Sequence, residues 1–152
     1  MGSIRDMNLR NQLESFLSDK IPLATAMGVR VVTLEPLMIE APVALNSNHL
    51  GTAFGGSINA VATLAGYALL WLALHDDLSL HVVIAESSIR FLRPVRKTIR
   101  TVCCRPEDSA MTTLKSDLAA QSRGRIRLRV QVEEWGASAA EFEGLFVAIR
   151  SD

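Results

Sequence analysis

From Ala60 to Leu74 the chain reads AVATLAGYALLWLAL, broken only by Thr63 and Gly66. As a helix this segment is apolar around most of its circumference, which calls for burial on nearly every side. The run is shorter than the ~20 residues a bilayer span takes. No membrane span is therefore expected, and the segment reads as a core helix from about Ser57 to Leu74, closed by the polar pair Asp76–Asp77. What encloses it decides the fold.

The flanking sequence offers mostly strands. Val29–Leu34 and Leu37–Leu45 read as two strands around a Glu35–Pro36 turn, and Thr98–Arg105 is a third that stops at Pro106. His81–Leu92 is rich in β-branched residues and ends before Pro94. In it Val83, Ala85, Ser87, Ile89 and Phe91 are expected on one face, and Glu86, Ser88 and Arg90 on the other. The clearest alternation comes late. Ile126, Leu128, Val130 and Val132 face one way and Arg125, Arg127, Arg129, Gln131 and Glu133 the other, an antiparallel strand with one wet face. A Gly136–Ser138 turn leads into a partner strand, Glu141–Ile149, with Glu141 and Glu143 placed to lie across from the arginines.

Leu9, Leu13, Phe16 and Leu17 mark an amphipathic helix ended by Pro22, and Met111, Leu114 and Leu118 mark a short one capped by Ser109. Two strands, a long apolar helix and four strands then make an α+β domain whose curved antiparallel sheet wraps the helix. Neither a linker nor a repeat divides residues 1–152, so one domain is expected. An uncovered sheet edge needs a partner, which points to self-association into at least a dimer.

Sixteen basic and sixteen acidic residues cancel, so no overall charge points to nucleic acid. The balance is local, however. From Arg90 to Arg129 eleven Lys and Arg residues face only Glu107, Asp108 and Asp117, a surface suited to a polyphosphate or an acidic protein unless acids elsewhere neutralise it. Cys103 and Cys104 are the only cysteines. Neighbours in a strand point to opposite faces, so no disulfide joins them, and no other ligands gather for a metal. The start of the chain lacks a signal-like apolar run, and a cytoplasmic protein with reduced thiols is expected.

The chemistry-bearing segment is Asn48–Ser57, NHLGTAFGGS, between a strand and the core helix. Gly55 and Gly56 let another molecule approach the backbone, and the first N–H groups of a helix have no internal partners. Such donors suit a carbonyl oxygen that gains charge during acyl transfer. The same glycines also fit a plain tight entry with Ser57 as cap, and spacing alone leaves both open. Asn48 can orient water or a carbonyl, and His49 is a general-base candidate that fits a structural hydrogen bond equally well. Signatures of a Ser-His-Asp nucleophile, a phosphate loop or a dinucleotide site are absent.

HLGTAFGGS, the apolar helix and the later IRFLRPV resemble the hot-dog thioesterase superfamily, whose phenylacetic-acid-type members share an N-x-x-G-x-x-x-G-G entry to the central helix. IPLATAMGVRV, LAGYALLWLAL and SRGRIRLRVQV resemble more narrowly the thioesterase domain that ends YiiD-type bacterial proteins. The likeness covers roughly Leu9 to Ile149, without the acetyltransferase domain that precedes it there. It implies a hot-dog homodimer, or a dimer of dimers, hydrolysing acyl-CoA or acyl-carrier-protein thioesters, with no cofactor beyond the CoA or phosphopantetheine of the substrate. It assigns Asn48 to the attacking water or the thioester and the Gly55 N–H to the thioester oxygen. It also places a carboxylate eight residues after Gly55, where this chain has Thr63. Threonine is no base without help. Glu86, His49 or a group of the partner subunit are the candidates to replace it. Arg90, Arg93, Arg96 and Lys97 flank Pro94 where such enzymes hold CoA phosphates. A hydratase or dehydratase of acyl thioesters and a non-catalytic acyl-thioester-binding module are the alternative functions.

Overall fold

The computed structural model describes residues 3–77 and 79–151. Helix α1 (Ile4–Lys20) starts with a capping box in which Ser3 and Asp6 satisfy each other's backbone N–H groups. Its Leu13 and Leu17 are fully buried, each contributing about 1.5–3 kcal/mol. A short α2 (Pro22–Met27) follows at once, because Pro22 sits at a helix start, where its missing N–H costs nothing. Pro22 thus ends one helix and begins another, which corrects the expectation of a single stop.

Strands β1 (Arg30–Leu34) and β2 (Leu37–Pro42) form a hairpin, and a 3-10 turn (Val43–Leu45) replaces the expected end of the second strand. Then come α3 (Gly55–Leu74), β3 (Leu80–Phe91), β4 (Thr98–Cys103), α4 (Asp108–Gln121), β5 (Arg123–Glu134) and β6 (Ala137–Arg150). All neighbours are antiparallel, in the order β1-β2-β4-β5-β6-β3. The 20-residue α3 has the length and composition of a membrane span, yet it packs on β2 through β6 as the sheet's core helix. The sheet curves around it. This is the hot-dog arrangement.

Ile126, Leu128, Val130 and Val132 of β5 are buried under the helices and their alternate arginines exposed, as the alternation predicts. Cys103 is buried and Cys104 exposed; burial, reinforced by Cys104, pushes the Cys103 thiol up to about 12, so it stays protonated. Helix α4 is longer than expected, and Glu107, not Ser109, occupies its N-cap position. It lies so close to β5 that a Cβ on Gly124 would come within 2.9 Å of the Leu114 carbonyl oxygen.

β3 departs from strict alternation. Ile84 pairs with Phe146 and Glu86 with Leu145, so Ala85 is an extra residue that flips the parity of the strand. Beyond this bulge Ile89 packs on the core as expected; before it Val82 and Ile84 do so, and Val83 is exposed instead.

Candidate functional site

The loop between β2 and α3 is held almost entirely by its own asparagines. Asn46, buried, donates through Nδ2 to the carbonyls of Met27 (2.9 Å) and Pro42 (2.8 Å). Its own carbonyl accepts the Phe54 N–H at 2.7 Å, closing the loop at its base. Asn48 organises the tip. Its Oδ1 accepts the N–H groups of Leu50 (2.8 Å) and Thr52 (3.2 Å), while Nδ2 donates to Thr52 Oγ1 at 2.8 Å. Gly51, at φ +78°, makes the turn. The Asn48 amide is thus occupied in shaping the loop, and a water-orienting role would have to compete with those bonds.

The loop delivers the chain to α3 with Phe54 as N-cap and no side-chain cap. Ser57 lies in the first turn and does not cap it. Ile58 makes the first intrahelical bond, to the Phe54 carbonyl at 3.0 Å. Among the described residues the N–H groups of Gly55, Gly56 and Ser57 have no partner. Only the second glycine is crowded: the ring of Phe54 covers the Cβ position of Gly56, whereas a Gly55 Cβ would meet the Phe91 ring at 3.4 Å, an ordinary contact.

Asn59 and Thr63 follow Gly55 at successive four-residue steps, so the three form one stripe on α3. The Thr63 hydroxyl donates to the Asn59 carbonyl at 2.8 Å, which leaves its oxygen free to accept. Among the described residues the buried Asn59 Oδ1 has no hydrogen-bond partner, and sequence reading did not single this residue out. Only its place in the stripe, one turn from Gly55, could have pointed to it. One turn past Thr63, Tyr67 is half-buried; burial pushes its hydroxyl up despite a bond to the Ile84 backbone.

The other expected residues divide. The segment carrying Arg93, Arg96 and Lys97 abuts the loop, since the Val95 carbonyl accepts the Ala53 N–H at 2.8 Å. Arg90 is on the outer face of β3, opposite Glu141. His49 is exposed at the loop tip, with no hydrogen bond among the described residues. Glu86 does not belong to this chain's site: it lies on the outer sheet face, away from α3, paired to Arg127 at 3.0 Å. The described residues include no cluster of three or more His, Cys, Asp or Glu that would hold a metal. A cavity of about 710 Å³ lies elsewhere, at the far half of α3 between Leu37, Leu69, Leu72, Cys103 and Met111.

The fold that carries this helix start is shared with solved proteins. A Shewanella oneidensis protein described as a putative thioesterase matches at 28% identity and TM-score 0.83, over 93% of this chain and 98% of its own. One from Pseudomonas aeruginosa, described as of unknown function and a probable thioesterase, matches at 26% and 0.79, over 93% and 95%. A Bacillus halodurans protein crystallised with CoA matches in fold, at 15% and 0.62, over 98% and 93%. The family model described as "Putative thioesterase (yiiD_Cterm)" covers residues 10–150, and with that span the chain belongs to this thioesterase family.

Proposed function

We propose that the chain hydrolyses acyl thioesters whose carbonyl oxygen rests on the N–H groups at the start of α3. The observation that carries this reading is the uncapped first turn, where three N–H groups lack partners and the helix dipole adds to their pull on a growing negative charge. Water adds to the carbonyl carbon and gives up a proton. The tetrahedral oxyanion is held by these donors, then collapses to a carboxylic acid and expels the thiolate. His49, the one titratable side chain on the Asn46–Phe54 loop, is the candidate to receive the proton.

Thr63 enters through an acceptor role. It lies eight residues from Gly55, about 12 Å along the axis, so one helix cannot offer both to one carbonyl. A second copy with its α3 antiparallel brings the partner subunit's Thr63 beside Gly55, where its acceptor oxygen holds the water. The free edge of β3 and the exposed side chains of Leu50, Phe54, Phe91 and Leu92 around the helix start support such a dimer. Sedimentation velocity at assay concentration should return at least twice the chain mass. A monomer that still turns over would remove the shared site.

For the substrate, CoA thioesters are favoured. Arg93, Arg96 and Lys97 beside the loop suit phosphates, and the Bacillus halodurans protein of the same fold was crystallised with CoA. Following free-thiol release from acyl-CoAs of graded chain length tests the function. Hydrolysis is expected, with kcat about tenfold lower for Thr63→Val, the worth of one hydrogen bond, and recovered by Thr63→Ser. Saturable binding without thiol release would establish the binding-module reading, to which the absent carboxylate at Thr63 lends weight. Hydration of an enoyl-CoA would establish the hydratase.

A further inference from the structure

Trp135 stands where neither folding nor burial asks for tryptophan. It and Gly136 are the two central residues of the β5–β6 hairpin, at φ +53° and +75°. A two-residue turn with both φ positive favours Asn, Asp or Gly, and a bulky side chain at positive φ is strained. Burial does not offset that strain, because Trp135 is 81% exposed. Strain kept at one surface position points to a use.

Its neighbours say which. Lys97 Nζ lies 5.9 Å from the indole ring centre, within cation–π range, and leaves most of the ring open. The Arg96 N–H donates to Glu134 Oε2 at 2.7 Å, clamping the basic segment to the hairpin one residue before Trp135. On its other side that segment accepts the Ala53 N–H through the Val95 carbonyl at 2.8 Å, two residues before Gly55. One hydrogen-bonded frame thus runs from the N–H groups of α3, past Arg93, Arg96 and Lys97, to an open indole.

We propose that Trp135 is the stacking platform for the adenine ring of a coenzyme A thioester, with Lys97 and Arg96 meeting the phosphates between the ring and the thioester. This rests on the thioester reading of the α3 start and refines it. A carrier protein presents the same pantetheine arm without an adenine, so the platform selects CoA. Every base has a π-face that an indole can cover, and the flanking cations add the attraction that a neutral platform lacks.

The test uses Trp135→Asn, which suits the turn better than tryptophan, so that a loss cannot come from unfolding. For acyl-CoA this variant should raise KM by roughly ten- to a hundredfold, the usual range for removing a stacking aromatic, with kcat unchanged. Acyl-N-acetylcysteamine thioesters, which lack the nucleotide, should be hydrolysed equally by both proteins, and Trp135→Phe should fall between. Titrating 3′,5′-ADP should quench wild-type tryptophan fluorescence, and the quench should vanish in Trp135→Asn, where only Trp71 remains. An unchanged KM for acyl-CoA, or fluorescence that answers to protein concentration and not to nucleotide, overturns the proposal. If neither thioester is hydrolysed, the hydrolase reading fails, while the 3′,5′-ADP titration still decides on Trp135.

Discussion

Replacing Gly55 with proline is expected to lower kcat for thioester hydrolysis about 10²–10³-fold, the loss seen when one oxyanion donor is removed, while the protein stays folded. Each structural requirement for that clean result is met. Gly55 is the first residue of α3, where proline is well tolerated. Phe54 already has φ −67° and ψ 132°, the extended conformation that proline imposes on its predecessor. A side chain at Gly55 would meet the Phe91 ring at 3.4 Å, ordinary contact. The N–H that is lost has no partner among the described residues, so no structural bond between them goes with it. Gly55→Ala keeps the N–H and is the control; it should retain most of the activity. If proline and alanine behave alike, the Gly55 N–H does not hold the oxyanion, and the donors are those of Gly56 and Ser57 alone.

Much of this architecture was legible because a few segments admit one reading. An apolar run such as Ala60–Leu74 has to be enclosed, and the arginine alternation of β5 has to have one wet face. What escaped was set by single residues whose effect is not periodic. Ala85 inserts one position into β3, and nothing in its side chain announces a bulge, so strict alternation puts Val83 on the face of Ile89, whereas Val83 is exposed. Pro22 is a stop when read backwards and a start when read forwards, and only the packing of Ala24 and Met27 selects the second.

At the site, the position of the Gly55–Gly56 entry at the start of the core helix could be read, but spacing alone leaves open what it does. Asn48 could not be read, since an asparagine that orders its own loop and one that faces a substrate look identical in sequence; only its bonds to Leu50 and Thr52 distinguish them. The buried oxygen of Asn59 and the backbone of Trp135 escaped for a related reason. A buried oxygen without a partner and an indole at positive φ are properties of coordinates, not of composition.

The largest loss of stability is expected from Phe146→Ala. Phe146 is fully buried on β6, where its ring lies between two glycines. A Cβ on Gly66 of α3 would run into the ring, coming within 2.7 Å of Cε2, and one on Gly144 would come within 2.8 Å of the same atom. Helix and sheet therefore approach through this one ring, with Tyr67 edge-on to it at 5.7 Å between centroids. Phe→Ala in a core costs about 3–5 kcal/mol, more where the cavity cannot collapse. Here the two nearest residues have no side chains to move into the gap, so the upper end is expected, a large share of the 5–15 kcal/mol that holds a typical domain folded. Denaturant unfolding of the double-mutant cycle gives the sharper check. Gly66→Ala alone should destabilise by about 1–3 kcal/mol through overpacking. In the Phe146→Ala background the same methyl enters vacated space, and the helix preference for alanine over glycine, about 1 kcal/mol, should turn its effect stabilising. That reversal of sign is specific to a ring seated on Gly66. Additive effects would mean that α3 is held to the sheet by its general apolar surface, and that Phe146 is one contact among many.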